Sequence, residues 1–293
     1  DNLLMKIIPV FMILQFVFTI NIFGNQHNLS LDSLSLRERY WFPTHWKYHP
    51  GDSSQWANPD YDDSSWPLQE TRLFRNNLPS EGWRGIGWFR LAVTVDSSLL
   101  NKNLAIGVWQ SGASEIYLNG HLLYKFGEVG GSPSSEEPYL ERNPRIFRFT
   151  EAGSQIMAVR YSNHHSELFH RYGSQAGFVV WIAEWNKALD ARLSNLQNFV
   201  TQQNVFMIIP VILALVHILL FFHYPKLREN LFYSIMLLGF AFLIYFQFQV
   251  HLTASYSRIL LYNKLFFISM MVATLAGLLT TYSGYSNLPR QFP

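Results

Sequence analysis

Three groups of side chains in this chain have the types and spacing for chemistry. Asp60, Asp62 and Asp63 lie close enough in sequence to offer oxygen ligands to calcium or a pair of acids for hydrolysis. The same residues also make an ordinary polar turn leading into Trp66, and that is the reading preferred here. His164, His165 and His170, with Asn163 and Glu167 among them, are the residue types that hold zinc or copper. His165 and His170 are five positions apart, which does not make a helical i, i+4 ligand pair, so a polar loop is expected. The third group is the tryptophans: Trp41, Trp46, Trp56, Trp66, Trp83, Trp88, Trp109, Trp181 and Trp185. Aromatic faces stack on sugar rings, but they more often fill a β core.

The acidic, turn-rich loop from Gly127 to Pro138 and the stretch from Trp83 to Gly87 are where a ligand is expected, because loops on a rigid sandwich carry specificity. The candidate ligand-binding residues are Trp83, Arg84, Trp88, Glu128, Glu136, Glu137, His164 and His165. No residue is assigned as catalytic, cofactor-binding or metal-binding.

Positioning such residues falls to strands. Alternating runs occur at 87–95, 104–109, 114–118, 145–149, 155–161 and 178–182. Asn119-Gly120 separates two apolar stretches, a hairpin signal. Short strands at near-regular spacing, with little helix, predict an all-β jelly-roll sandwich over 30–188.

The rest is membrane-like. Hydrophobic residues make up 49% of the chain and charged ones 14%, against roughly 25% charged in an average soluble chain. A net charge of +2 without a basic block argues against nucleic acid, and the absence of cysteine excludes disulfides and thiol catalysis. Residues 1–24, with Lys6 ahead of an apolar run, read as a secretory signal peptide or an uncleaved anchor. Leucines at 189, 193 and 196 predict a linker helix over 189–203. Beyond it, spans are expected at about 204–223, 231–250 and 259–282. Lys226 and Arg228 sit in the first connection, whereas the second carries no lysine or arginine before Arg258. The positive-inside rule therefore puts the first connection in the cytoplasm and the sandwich outside. His217, mid-span, is expected to hydrogen-bond between helices.

Two resemblances follow from particular residues. Trp46 to Asp52, Trp56 to Trp66, Gly85-Ile86-Gly87-Trp88-Phe89-Arg90, Glu115 to Gly120 and Gly153 to Arg160 resemble the galactose-binding-like jelly roll of family-two glycoside hydrolases. The catalytic barrel that accompanies it there is absent. With the sandwich in front, Phe222 to Ser234 resembles the bacterial seven-transmembrane receptors with diverse intracellular signalling modules. That second resemblance implies a bacterial cell-membrane protein with an external sensor and a cytoplasmic kinase, phosphatase or cyclase, as in two-component signalling. It also implies dimerisation, and that these residues are the amino-terminal portion of a longer chain.

The expected function is thus a receptor, sensing a carbohydrate or another small molecule, with no cofactor and no enzymatic activity of its own. A membrane-anchored carbohydrate-binding or adhesion module is the alternative, and a glycosidase remnant the next.

Overall fold

The computed structural model describes residues 29–33, 36, 39–140, 143–171, 173–253 and 255–286. The signal or anchor reading of 1–24 and the tail from 287 lie outside them. Two compact units divide the chain, one ending at Lys187 and the other beginning at Ala188.

The first unit is a β-sandwich of eleven strands: β1 (Ser30–Leu31), β2 (Tyr40–Phe42), β3 (Trp46–Pro50), β4 (Leu68–Gln69), β5 (Ile86–Val95), β6 (Leu104–Gln110), β7 (Ala113–Leu118), β8 (His121–Phe126), β9 (Arg145–Phe147), β10 (Gly153–Ser162) and β11 (Phe178–Glu184). One sheet runs β4-β3-β5-β10-β7-β8, with β1 pairing parallel to the far end of β5. The other runs β2-β11-β6-β9. Apart from β1 the pairings are antiparallel. Helix α1 (Ser166–Arg171) precedes β11.

Period-2 patterning explains the layering, since alternate side chains of a strand face opposite ways. Phe89, Leu91, Val93 and Val95 of β5 meet Ile106 and Val108 of β6 and Phe178, Val180 and Ile182 of β11 in one buried core. Each of the six runs expected from alternation contains a strand, the run at 145–149 only over Arg145–Phe147. The expected Asn-Gly turn closes the β7–β8 hairpin, with both Asn119 and Gly120 at positive φ (48° and 83°), as a type I′ turn requires. Strands β1 to β4, two to five residues long, were not among the expected runs.

The second unit is helical. Helix α2 (Trp185–His223) begins at the residue after β11 and continues for 39 residues, through the expected linker 189–203 and the first apolar run. Its axial length is about 58 Å, against a bilayer hydrocarbon core of about 30 Å. Pro210 sits within it and withdraws one backbone donor. Helices α3 (Arg228–Leu252) and α4 (Tyr256–Ser286) follow. All three are long and apolar enough to cross a membrane.

Contacts between these helices differ in kind. Helices α3 and α4 meet through small residues: a Cβ placed on Gly239 would lie 2.9 Å from the Ala273 Cβ. Helices α2 and α3 meet through large and polar side chains. His217 Nδ1 donates to Asn230 Oδ1 (3.0 Å) beside the Tyr233 ring (4.4 Å), which is the interhelical bond expected of it. Phe199 stacks on Phe248 at 5.4 Å.

Candidate ligand-binding end of the sandwich

Seven of the eight candidate residues lie where the segments 83–85, 127–139 and 162–165 meet. After β8 the chain turns at Gly127 (φ 83°) and returns at Glu137, the two strands of the loop bridged by reciprocal Glu128–Glu137 backbone hydrogen bonds of 3.0 Å. Gly127 is required there, because a Cβ would stand 2.2 Å from the Glu137 carbonyl oxygen.

The loop is fastened to the end of β10. Gly130 N donates to Ser162 Oγ (3.3 Å), His164 Nε2 donates to the Gly130 carbonyl (2.9 Å), and the His164 backbone N–H donates to Glu136 Oε2 (3.1 Å). The Glu136 side chain is fully buried with its Oε2 4.0 Å from His164 Nε2. Its Oε1 is buried too and has no hydrogen-bond partner among the described residues. On the other side, Trp83 Nε1 donates to the Asn163 carbonyl (2.9 Å), and Asn163 N donates to the Gly85 carbonyl (2.8 Å). His164 lies against Gly85, where a Cβ would come within 2.2 Å of its Nδ1.

Exposure separates the candidates further. Trp83 is half-buried, packed on Tyr161 (5.7 Å), Tyr48 (6.1 Å) and Phe89 (6.4 Å). Burial pushes the Tyr48 hydroxyl up to about 12. Arg84 is exposed and pairs with Glu81 at 3.0 Å. Glu128 and Glu137 are exposed on the loop. His165 is also exposed, tied only through its backbone N–H to Asn163 Oδ1 (3.0 Å). The arrangement offers carboxylates, an imidazole, a guanidinium and an indole edge around one rim, groups that hydrogen-bond and stack on a polar small molecule.

Trp88 belongs elsewhere and departs from expectation. It lies on the outer face of the larger sheet, yet it is 1% exposed because the segment 52–66 covers that face. Its Nε1 donates to Asp52 Oδ1 (3.1 Å), and its ring packs on Tyr117 and Trp56. A ligand cannot reach it there, so its role is packing.

The same face holds a charged network that spacing did not suggest. Arg90 of β5 is 1% exposed; its Nε donates to Asp63 Oδ2 (2.7 Å) and its Nη1 to the carbonyls of Trp56 (2.6 Å) and Asn58 (2.8 Å). Lys47 donates to the other Asp63 oxygen at 2.6 Å. Asp62 accepts from Ser64 N (3.0 Å), so the aspartate cluster is a turn anchored on Arg90. Burial acts to raise the Asp63 carboxyl, but the bonds from Lys47 and Arg90 prevail and hold it low. Across β10, β7 and β8, Arg160, Glu115 and Lys125 stand in register. Arg160 also pairs with Asp52 at 2.6 Å, and its hydrogen bonds hold the Asp52 carboxyl low. Strand parity was the signal that could have found this row.

His170 is buried and donates through Nε2 to the Leu73 carbonyl (2.8 Å). Among the described residues no three His, Asp or Glu side chains gather to hold a metal ion. Of the tryptophans, Trp46, Trp66, Trp88 and Trp181 are buried, whereas Trp109 is 45% exposed on the outer face of the smaller sheet.

No protein-family model matches the chain, and no curated protein matches it. Among solved structures, it is similar to a Bacteroides uniformis β-glucuronidase at 18% identity and a TM-score of 0.34, over 50% of this chain and 18% of that one. A β-glycosidase from Bacteroides vulgatus gives 23% identity and a TM-score of 0.32, over 50% of this chain and 20% of that one. A Ruminococcus gnavus β-glucuronidase gives 12% identity and a TM-score of 0.32 over 50% and 28%. The chain therefore spans about a fifth of the first two enzymes. At these scores the architecture rests on the strand order and core described above.

Proposed function

We propose that the chain is the sensing and membrane part of a receptor, as the resemblance to seven-transmembrane signalling receptors implies. Its sandwich binds a carbohydrate or a similar polar small molecule outside the cell membrane, at the rim formed by Trp83, Arg84, Glu128, Glu137, His164 and His165. The helices α2 to α4 cross that membrane and carry the binding event to a cytoplasmic output. One observation supports this reading above the others: α2 is a single helix that starts at the residue following the last strand and includes the first apolar span. A passive tether needs one span and no such continuity. Lys226 and Arg228 favour a cytoplasmic first connection, and dimerisation enters with the family resemblance.

In this reading the chain is not itself an enzyme. Its partly buried Asp63 and buried Glu115 carboxylates are engaged by Lys47, Arg90, Arg160 and Lys125, so in this reading these two serve as ion-pair partners. A membrane-anchored carbohydrate-binding module is the second reading, favoured by the exposed indole of Trp109.

A screen of glycans and small polar metabolites against the whole chain in lipid nanodiscs, read by thermal unfolding, tests the rim. A ligand that stabilises the wild type should lose about tenfold or more in affinity with Glu137→Ala and His165→Ala combined, since each lost charged hydrogen bond is worth about 1.5–3 kcal/mol. Undiminished affinity would remove this rim as the site, and loss in Trp109→Ala instead would favour the second reading.

A further inference from the structure

The part of α2 that precedes its apolar run is mostly polar, yet it carries an apolar seam. Leu189, Leu193, Leu196 and Val200 recur at intervals of four, three and four residues, which sets them along one side of the helix. In heptad terms Leu189 and Leu196 fall at d, and Leu193 and Val200 at a. Positions b, c and f are Ala191, Ser194, Asn195, Asn198, Thr201 and Gln202, all of them exposed. Helix α3, antiparallel to α2, runs out beside this segment. Phe199 meets Phe248 at 5.4 Å and the His251 ring at 5.1 Å, and α3 ends at Leu252. From Phe199 back to Leu189, α2 covers about 15 Å, so this stretch rises past the end of α3. Leu193 is left 54% exposed.

We propose that this seam is the interface with a second copy of the chain, the two α2 helices pairing as a short parallel coiled coil ahead of the membrane. The orientation follows from the bilayer: two copies that cross it the same way carry their α2 helices parallel and at one depth, so each seam residue faces its own counterpart. The proposal therefore rests on the reading that α2 crosses a membrane. Residue types agree with a pair, since leucine at d with a β-branched residue at a, as Val200 is, favours two strands. Charge agrees as well. In a parallel pair each g position faces the e position of the other helix's next heptad, so Arg192 at g meets Gln197 at e and no like charges oppose. Four apolar residues a helix are too few to hold free helices together; confining both copies to one bilayer raises their effective concentration and makes up the difference. Because the seam and the first span belong to one helix, a change in how the seam pairs moves both spans together.

Because the chain contains no cysteine, one introduced thiol can pair only with its counterpart in another copy. Leu189→Cys, Leu193→Cys, Leu196→Cys and Val200→Cys test the seam in the whole chain in membranes, with Ala191→Cys and Asn198→Cys on the opposite side as controls, under copper phenanthroline oxidation read on non-reducing gels. The four seam positions should form disulfide dimers on the order of fivefold or more faster than the two controls, because a disulfide needs its Cβ atoms about 3.5–4.5 Å apart. Adding Leu193→Glu to Leu196→Cys should bring its rate down to that of the controls by opposing two carboxylates at a. Leu193 is exposed in the single chain, so Leu193→Glu should leave the unfolding temperature of the sandwich unchanged. Equal rates at all six positions, or faster dimers at 191 and 198, would overturn the seam. Cross-linking at one seam position alone would mark an antiparallel pair and overturn the parallel arrangement, and none at any position would remove the second copy. Release of the chain from membranes by alkaline carbonate would instead remove the bilayer reading, a failure distinct from loss of the seam.

Discussion

Arg90 shows how one residue can organise a surface. Its guanidinium lies under the 52–66 segment and satisfies Asp63 and two carbonyls, at 1% exposure. Removing one partner of a buried ion pair strands the other, at a cost of about 3–5 kcal/mol. Arg90→Ala should therefore destabilise the sandwich by about that amount in denaturant unfolding followed by tryptophan fluorescence, and Arg90→Lys should recover only part of it, lacking the fork that reaches three acceptors. The pH dependence follows from the same face. Asp52, held low mainly by Arg160, and Asp63 and Glu115, held low against burial by their cationic partners, have folded values below their ordinary ones. Depressed carboxyls stabilise above the unfolded value, and that contribution disappears as pH falls through the folded ones. Unfolding temperature should thus be flat from about pH 7 to 5 and drop below about pH 4; Asp52→Asn should reduce the drop. At this scale the sequence was only partly legible. Phe89 and Leu91 face the core, so strand parity puts Trp88 and Arg90 on the outer face; nothing local revealed that the 52–66 segment would bury them. Glu136 and His164 are 28 positions apart, and only the fold of the 127–139 loop brings them together.

Elements carried most of the readable signal. Five of the six expected strands are six to ten residues long, enough for period 2 to be plain, and Asn119-Gly120 specified its own turn. The short strands β1 to β4 were not legible that way: β1 and β3 pair with β5, β2 with β11, and β4 with β3. The helices were legible from apolar length alone, but which face packs on which neighbour was not, since all three are apolar around most of their circumference. Gly239 resolves this for one pair. Gly239→Leu should force α3 and α4 apart at Ala273, costing about 1–3 kcal/mol of overpacking. Unfolding in detergent against sodium dodecyl sulfate would show it, and Gly284→Leu, which meets nothing within 4 Å, should cost far less.

For the whole molecule, the central claim is that binding at the sandwich rim alters the helices. A helix that starts at the end of β11 and continues for 39 residues transmits a displacement only if the ligand favours one of two arrangements of the spans. Fold alone does not decide this, because a sandwich of this kind serves sensing, adhesion and support equally. The most direct measurement places an environment-sensitive fluorophore on Phe222→Cys, a 70% exposed position in the last turn of α2, in the whole chain in nanodiscs. The account predicts that ligands which raise the unfolding temperature of the sandwich also shift the emission at position 222, with the same concentration dependence. Ligands that bind and stabilise the sandwich while the emission at 222 stays fixed would contradict it and leave an anchored binding module.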